Sequence, residues 1–393
     1  MDFAYICTEC GRRFAIEPRL MVCLHCSLGQ APDQPLNGVL EVECAGKVAA
    51  GWDVPSLLPV EKQFFPPIPV GNTPLWAPQR LRRELDFPGL HIKDDGLNPT
   101  CSLKDRASFL VSAFASKFGI AEVVLASTGN AGSSMAGVGA AVGQKVTLFL
   151  PKAAPKAKLI QALQYGAKVF RVDGSYDDAY DLSLAYTAKF GGMSRNTAYN
   201  PMTIEGKKTV SLEVFRQLGR VPDAVFVSVG DGCILSGVYK GFRDLRQLGL
   251  ADRLPVVYAV QAEGSDALAR AFEQGVFRRE ASSTVADSIS VDVPRNGLHA
   301  LRQLKEHGGQ VVRVSDEQIL AAQARLSRTA GLFTEPAGAA AFAGFLEARR
   351  WIPPEAVAVI LATGNGLKDT AAAARSVEIP EKVITRLEEV EGG

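Results

Sequence analysis

Short runs of β-branched and other hydrophobic residues alternate with amphipathic or alanine-rich segments along most of the chain. The hydrophobic runs predict strands at 122–126, 145–150, 168–172, 224–229, 256–261, 310–314 and 356–362. The intervening segments predict helices near 104–118, 131–142, 156–165, 176–190, 204–218, 234–248, 265–275, 316–329 and 336–349. Strands that alternate with helices predict an α/β fold whose parallel sheets are covered on both faces.

The spacing of these elements divides the chain into unequal parts. A length of 393 residues is enough for two or three folding units of roughly 100–200 residues each. Residues 1–45 lack the alternation and carry five of the seven cysteines, so we expect a small segment of another kind there. Residues 46–393 form the main unit, and the closely spaced strands predict a smaller lobe at about 105–200 within the larger one.

Composition favours a small-molecule partner. The 43 basic and 42 acidic residues give a net charge of +1, so no overall field would attract nucleic acid or a membrane surface. The N-terminus carries a charge at Asp2 and does not resemble a signal peptide. The longest apolar stretch, 123–143, is interrupted by polar residues and glycines, which suits a packed α/β element. We therefore expect a cytoplasmic enzyme.

Four cysteines are spaced as two knuckles, Cys7-x2-Cys10 and Cys23-x2-Cys26. This spacing can bring four thiolates to one tetrahedral Zn²⁺, so the segment resembles a zinc ribbon. Four sulfurs fill the coordination shell, so we expect a structural zinc and no role for His25 as a ligand. Two reducible disulfides or a redox pair are the alternatives. A ribbon that binds nucleic acid is less favoured, because only 12–14 offer basic and aromatic residues.

One lysine stands out because three clusters of glycine and polar residues follow predicted strands later in the chain. Lys104 follows the loop 98–103 and begins a predicted helix. Taken alone it would be interpreted as a solvated surface charge, as most lysines in a soluble chain are. A glycine-rich turn at 230–237 follows a strand and begins another helix, and its N–H groups can hold a phosphate. The spacing matches neither a dinucleotide-binding turn nor a Walker A loop, so tight packing is the alternative. Asp231 would repel a phosphate, and we expect its side chain to face away or to accept local N–H groups.

Two further clusters also follow predicted strands. Ser127-Thr128-Gly129-Asn130 offers hydroxyls and free N–H groups at a helix start, which suits a carboxylate, with an ordinary helix cap as the alternative. Thr363 would face the crevice where α/β proteins bind ligands, and its hydroxyl could reach an aromatic nitrogen; a strand-ending turn is the alternative. Lysine forms Schiff bases and loses its proton readily when buried. Together, Lys104 and the three clusters indicate an enzyme whose cofactor carries an aldehyde and forms a Schiff base with the lysine amine.

These residues resemble the pyridoxal-phosphate enzymes of fold type II, the tryptophan-synthase-β family. Residues 98–106 are similar to the Asn-Pro-Thr-Gly-Ser-Phe/Leu-Lys-Asp-Arg loop of that family, and the resemblance covers 55–375. Within the family the chain is most similar to threonine synthases, some of which carry N-terminal cysteine knuckles, as do some cysteate synthases. The shared segments are 71–75, 127–130, 205–209 and 361–369.

The resemblance implies a two-lobed catalytic core with pyridoxal 5'-phosphate as cofactor. Lys104 would form a Schiff base with it and then move protons at the substrate's α and β carbons. Asn130 would bind the cofactor's phenolic oxygen, and Thr363 would meet its pyridine nitrogen. The backbone of 230–237 would hold the cofactor phosphate, with the Ser236 hydroxyl as a further donor. The implied cofactor-binding residues of this turn are Gly230, Asp231, Gly232, Cys233, Ile234 and Ser236. The implied substrate-binding residues are Ser127, Thr128, Asn130, Ala131, Thr203 and Lys208.

The chain departs from the family pattern at three positions. Thr203 stands where an arginine commonly grips the phosphate of O-phosphohomoserine, and this is not a conservative change. Lys208 and two other cations, Lys207 and Arg195, could compensate. Cys101 and Cys233 stand where glycine or another small residue is frequent, either as small apolar fillers or as thiols that alter reactivity.

The resemblance implies a pyridoxal-phosphate-dependent lyase acting on a small amino acid, which the family pattern suggests is phosphorylated. The first hypothesis is a threonine synthase, which converts O-phospho-L-homoserine and water to L-threonine and phosphate. The alternative is a related replacement or elimination enzyme, such as a cysteate-synthase-like enzyme or a serine/threonine dehydratase. A protein that binds a cofactor or a partner without catalysis is the third hypothesis, and Lys104 argues against it. Enzymes of this fold type are usually dimers, so a homodimer is expected.

Overall fold

The computed structural model describes residues 1–31, 33–127, 129–152, 156–381 and 383–390. The strands are β1 Asp2–Cys7, β2 Arg13–Phe14, β3 Leu40–Ala45, β4 Leu75–Trp76, β5 Leu90–Asp94, β6 Glu122–Ala126, β7 Lys145–Pro151, β8 Lys168–Val172, β9 Met193–Ser194, β10 Ala224–Ser228, β11 Val256–Ala262, β12 Gln310–Val314 and β13 Ala358–Ala362. The α-helices are α1 Gln79–Leu85, α2 Lys104–Lys117, α3 Asn130–Val142, α4 Lys156–Gln164, α5 Tyr176–Phe190, α6 Met202–Lys207, α7 Thr209–Leu218, α8 Cys233–Gln247, α9 Ala267–Gln274, α10 Gly297–Glu306, α11 Asp316–Ala330, α12 Pro336–Ala348 and α13 Thr370–Ala374.

Two sheets made mainly of parallel strands form the body of the protein. The larger has the order β12-β11-β10-β13-β5-β4, parallel except where β4 meets β5. The smaller has the order β8-β7-β6-β9 and is parallel throughout. Helices cover them, as the buried central strands require. One example is α12, whose alanines let it pack closely on the buried strands β10 and β13.

The predicted strands and most predicted helices are confirmed. Their hydrophobic runs coincide with the observed elements within one or two residues at most boundaries. The segment predicted as one helix at 204–218 is two helices, α6 and α7, which meet at Lys208. Strand β5 was not predicted, because it ends in Lys93 and Asp94, charged residues that a buried strand rarely carries.

The N-terminal segment forms a third sheet, antiparallel, with the order β2-β1-β3. A buried carboxylate ties it to the body. Glu41 of β3 accepts hydrogen bonds from Arg243 of α8 at 2.8 Å and from His299 of α10 at 2.7 Å. Burial opposes the charge of Glu41, but Arg243 and His299 hold the pKa of this carboxyl well below its usual range.

In the described part of the chain, no helix is both long enough and apolar enough to cross a bilayer.

A second buried ionic network joins strand β5 to helices α2 and α7. The Arg106 guanidinium donates to Asp95 at 2.6 Å and to Glu213 at 2.6 Å, and Lys93 donates to the other Glu213 oxygen at 2.6 Å. All four side chains are buried. Burial raises the pKa of Glu213, but Arg106 and Lys93 outweigh it and lower the value to about 2. The lowered pKa means that the network stabilises the folded state most when Glu213 is ionised.

We expect Arg106→Met to lower the free energy of unfolding by about 3–5 kcal/mol, because it leaves two buried carboxylates without their main cation. The control is Arg80→Met, which removes an exposed pair with Glu84 and should cost below about 0.5 kcal/mol. Chemical denaturation at pH 7 measures both. In wild type, the Glu213 contribution is complete above its ordinary pKa of 4.5 and falls away as pH drops towards about 2. Equal losses for the two variants would contradict this account.

Candidate active site

A cavity of about 280 Å³ opens at the carboxyl ends of strands from both parallel sheets. Ser127 follows β6 of the smaller sheet, and Gly230 follows β10 of the larger one; both line the cavity. Three helices begin at its wall, with Lys104 of α2, Asn130 of α3 and Cys233 of α8 as their first residues. Helix N-termini carry unpaired N–H groups and partial positive charge, so the cavity suits anionic ligands.

The loop before Lys104 is pinned by backbone hydrogen bonds to a second loop. The Leu103 N–H donates to the Thr363 carbonyl at 2.9 Å, and the Asn365 N–H donates to the Cys101 carbonyl at 3.0 Å. Cys101 has a φ of 68°, in the left-handed region that favours glycine. The glycine frequent at this position in the resembled family therefore has a conformational reason, and Cys101 adopts the same turn at a cost in strain.

Lys104 is half-buried and faces the cavity. Burial lowers the pKa of its ammonium to about 8, with help from the positive charges of Lys207 and Arg195. A lysine with this pKa is substantially neutral near pH 8, and the neutral amine is the form that attacks an aldehyde. The following residue, Asp105, holds the loop shape by accepting the Thr100 N–H at 2.7 Å.

The glycine turn after β10 has the form of an anion cradle. A Cβ at Gly230 would lie 2.8 Å from the Ile289 Cα, and Gly232 has a φ of 86°, so neither position accommodates a larger residue without displacement. The Asp231 carboxylate accepts a hydrogen bond from the backbone N–H of Arg295 at 2.7 Å. It therefore accepts a local N–H group, as expected from the sequence. Gly230, Asp231, Gly232, Cys233 and Ile234 all line the cavity.

Asn130 is oriented by a residue that was not predicted from the sequence. Its Nδ2 donates to Glu335 at 2.7 Å and to Ser288 at 3.1 Å. A carboxylate only accepts, so Glu335 defines which end of the amide is nitrogen. The Asn130 Oδ1 and the Oγ of Ser228, which also lines the cavity, are buried without a hydrogen-bond partner among the described residues. Such orphaned groups at a cavity wall indicate a polar ligand.

Ser127 and Ala131 line the cavity, whereas Thr128 lies outside the described residues. The Ser127 hydroxyl accepts the N–H groups of Gly129 at 3.2 Å and Gly132 at 2.9 Å. It therefore caps the start of α3, the alternative that the sequence left open. These bonds use its oxygen, so its proton can still be donated to a ligand carboxylate.

Four residues named from the sequence do not line the cavity. The hydroxyl of Ser236 accepts from Asn296 at 2.6 Å, and Lys208 is bound to Asp244 at 2.8 Å. The Thr203 hydroxyl donates to the Asn200 carbonyl at 2.7 Å. Thr363 is buried, and its carbonyl accepts from the lysine loop.

Several lining residues carried little signal in the sequence. Lys207, one step before Lys208, does line the cavity, although the family resemblance implied Lys208 as the substrate-binding residue and Lys207 only as a cation that could compensate for the missing arginine. Residues 287–293 also line it, in a stretch without periodicity that predicted neither helix nor strand. Glu335 precedes Pro336 at the first position of α12, a pattern that in the sequence indicates only a helix start.

The four knuckle cysteines form a second site at the N-terminal sheet. Their sulfurs all lie within 4.8 Å of one another, and the Cys7–Cys26 and Cys10–Cys23 sulfur pairs are each 3.8 Å apart. Zinc–sulfur bonds of about 2.3 Å in a tetrahedron require sulfur–sulfur distances of about 3.8 Å. The arrangement fits one four-coordinate metal ion.

Comparison with known proteins gives a consistent result. Residues 68–364 match the model of the family described as pyridoxal-phosphate dependent enzyme. The chain belongs to this family. The threonine synthase of Methanocaldococcus jannaschii is 33% identical over 388 residues, which are 96% of each chain. That of Methanosarcina acetivorans is 35% identical over 378 residues, 92% of this chain and 91% of the relative.

Solved structures agree on the fold. A threonine deaminase from the organism abbreviated T.th. superposes with a TM-score of 0.65 at 24% identity, covering 75% of this chain and 92% of that one. The processed threonine deaminase isoform 2 of Solanum lycopersicum gives a TM-score of 0.68 at 21% identity, covering 85% and 96%. At these identities the likeness shows the fold alone, and it confirms the fold-type-II architecture predicted from the sequence.

The cavity fits the family's cofactor on its own features. A half-buried lysine with a lowered pKa faces it, a glycine cradle at a helix N-terminus suits a phosphate, and orphaned polar atoms stand at its wall. Its volume of about 280 Å³ is slightly below the range of about 300–1,000 Å³ usual for small-molecule sites.

We expect the rate at which pyridoxal phosphate attaches to apoenzyme to rise with pH and level off above about 8, because only neutral Lys104 reacts. Stopped-flow absorbance in the cofactor's visible band measures the rate, with Nα-acetyl-lysine as the control amine. Lys104→Ala should show no band that borohydride can fix to the protein. A rate that rises in parallel with the free lysine control up to about pH 10 would contradict the lowered pKa.

Proposed function

We propose that this protein is a threonine synthase, converting O-phospho-L-homoserine and water to L-threonine and phosphate. The observation that carries the proposal is the similarity, at 33% and 35% identity over nearly the full length, to the threonine synthases of the two species named above. The position of Lys104 in an anion-binding cavity is consistent with it. The class of reaction is that of a pyridoxal-phosphate-dependent carbon–oxygen lyase.

Several residues at or near the cavity would have a part in this reaction. Pyridoxal phosphate, when bound, supplies an aldehyde for the amino group and a ring that stabilises negative charge next to it. The N–H groups at the start of α8 would hold its phosphate, and Asn130, oriented by Glu335, would meet its phenolic oxygen. Ser127 and the start of α3 would bind the substrate carboxylate. The family resemblance implies Thr363 as the partner of the ring nitrogen, although this residue lies behind the lysine loop and does not line the cavity.

Lys104 is the proposed proton carrier. Its amine lies at the cavity wall, and burial lowers its pKa to about 8. A group whose pKa is near the working pH can both accept and return a proton efficiently. Lys104 would therefore take protons from the substrate carbons and return them, while the half-buried site limits exchange with water.

A second candidate is a related enzyme that acts on another amino acid by replacement or elimination. The observation that favours it is Thr203, whose side chain is fully buried and bonded to the Asn200 carbonyl, away from the cavity. A cysteate-synthase-like enzyme or a serine/threonine dehydratase would not need an arginine at this position for O-phosphohomoserine.

Incubation of cofactor-loaded protein with O-phospho-L-homoserine should release phosphate and L-threonine in equal amounts. O-phosphoserine with sulfite, L-serine and L-threonine form the comparison panel, and chromatography identifies the products. Lys104→Ala should lose about 10³-fold or more in rate, as expected for loss of a covalent and proton-transferring group. Turnover of another panel member with no activity on O-phosphohomoserine would overturn the first proposal in favour of the second.

We also propose that residues 1–45 are a zinc ribbon that binds one structural Zn²⁺, with residues 46–393 as the catalytic core. The support is the sulfur geometry of the four knuckle cysteines. A closed four-sulfur shell leaves no position for substrate. A cytoplasmic homodimer is the further expectation from the family, and sedimentation analysis of the loaded enzyme tests its dimer part.

We expect about one zinc per chain in the purified protein and a loss of most of it in Cys23→Ser, because three thiolates bind the ion less tightly than four. The matched control is Cys44→Ala, which changes a buried cysteine of β3 outside the cluster. Elemental analysis by mass spectrometry gives the metal content. Equal zinc in Cys23→Ser and wild type, or no zinc in wild type grown with zinc, would contradict the site.

A further inference from the structure

Two fully buried cations stand beside Lys104 without a carboxylate partner among the described residues. The Lys207 ammonium donates to the Cys233 sulfur, with the nitrogen 2.9 Å from it. The Arg195 guanidinium donates to the hydroxyls of Ser108 at 3.3 Å and Thr197 at 3.2 Å. Both cationic side chains have 0% relative exposure.

The neighbouring lysine shows the usual arrangement. Lys208 is equally buried but is ion-paired with Glu205 and with Asp244 at 2.8 Å. The negative charge of Asp231 raises the pKa of Lys207 through space without a direct ion pair. The Oδ1 atom of Asp231 accepts the backbone N–H of Arg295. Lys208 therefore has carboxylates in direct contact, whereas Lys207 and Arg195 have only the more distant charges of Asp231 and Asp105, respectively.

Unbalanced buried charges are expensive, and proteins keep them where a ligand supplies the opposite charge. Burial lowers the pKa of Lys207, and it lowers the pKa of Arg195 to about 10, so both groups are poorly solvated. Lys207 lines the cavity, and so does Thr197, which Arg195 contacts. An anion in this part of the cavity would contact Lys207 and would also be attracted through space by Arg195, which does not itself line the cavity.

The position of the Lys207 ammonium relative to Thr203 bears on which anion it would bind. The Thr203 hydroxyl lies 3.6 Å from the same Cys233 sulfur that Lys207 contacts. The Lys207 ammonium thus occupies the neighbourhood of the side chain at position 203, where the resembled family commonly has its phosphate-gripping arginine. The cofactor phosphate already has the glycine cradle and the first N–H groups of α8.

We propose that Lys207, supported by the charge of Arg195, binds the phosphate group of the substrate and so takes over the part of the arginine missing at position 203. In the free enzyme the ammonium is held by Cys233, and sulfur is a weak acceptor that a phosphate oxygen readily replaces. This assignment rests on the proposed function for the identity of the substrate. The anion site itself does not depend on it.

The test compares cofactor-loaded wild type with Lys207→Gln, Lys207→Arg and the surface control Lys168→Gln. Inorganic phosphate is titrated by calorimetry. Lys207→Gln should bind it about 10–100-fold more weakly, the loss expected for a charge-assisted hydrogen bond, while Lys207→Arg retains most of the affinity. The KM for O-phosphohomoserine should rise in parallel, and the affinity for pyridoxal phosphate should not change.

Thermal unfolding without phosphate separates ligand binding from a structural role. Removing an unbalanced buried charge should leave the melting temperature of Lys207→Gln equal to or above that of wild type. A clear fall would assign Lys207 to structure and overturn the proposal. A loss of cofactor affinity with unchanged phosphate binding would assign it to the cofactor's phosphate instead and also overturn it.

The two proposals can fail separately. If wild type does not turn over O-phosphohomoserine, the proposed function fails, and weaker phosphate binding by Lys207→Gln still supports the anion site. If wild type turns over that substrate but Lys207→Gln has an unchanged KM and phosphate affinity, the Lys207 assignment fails and the function stands. Wild-type holoenzyme that binds no phosphate at millimolar concentration also overturns the assignment.

Discussion

The position of Lys104 at the cavity wall depends on a buried arginine two residues further along the chain. Arg106 holds Asp95 and Glu213 at 2.6 Å, and these carboxylates belong to the segment after β5 and to α7. Because Arg106 lies in the first turn of α2, fixing its guanidinium also fixes the helix start that carries Lys104. The backbone bonds from Leu103 and Cys101 to the 363–365 loop fix the other side. Lys104 is thus placed by contacts that its own side chain does not make.

The architecture was largely predictable from the sequence, because buried parallel strands are continuous hydrophobic runs with turn residues at their ends. The site was predictable as a set of segments but less so as a set of side chains. Lys207 and Lys208 illustrate the reason. Successive residues on a helix differ by about 100° in direction, so one lysine faces the cavity and the next faces Glu205 and Asp244. Hydrophobic periodicity does not resolve such a choice where both side chains are charged and buried.

The two cysteines near the cofactor site have different physical roles. Cys101 occupies a backbone conformation suited to glycine, and its carbonyl accepts the Asn365 N–H that joins the two loops. Its departure from the family pattern is therefore a matter of backbone strain. Cys233 begins α8, lines the cavity and contacts both Lys207 and Thr203. Of the two interpretations left open by the sequence, that of a small filler is incomplete for Cys233, because its sulfur is the acceptor that positions a cation.

The N-terminal segment is joined to α8, the helix that begins at Cys233. Glu41 of β3 accepts from Arg243 of α8 and from His299 of α10, and a buried pair of this kind costs stability if either partner is lost. The Leu36 N–H donates to the Arg295 carbonyl at 2.9 Å, and Leu36 packs in one cluster with Cys233. The backbone N–H of Arg295 in turn donates to the Asp231 carboxylate in the glycine turn that lines the cavity. The segment after the cysteine knuckles is therefore joined both to α8 and to the stretch that carries Arg295, and both of these contribute residues to the cavity wall.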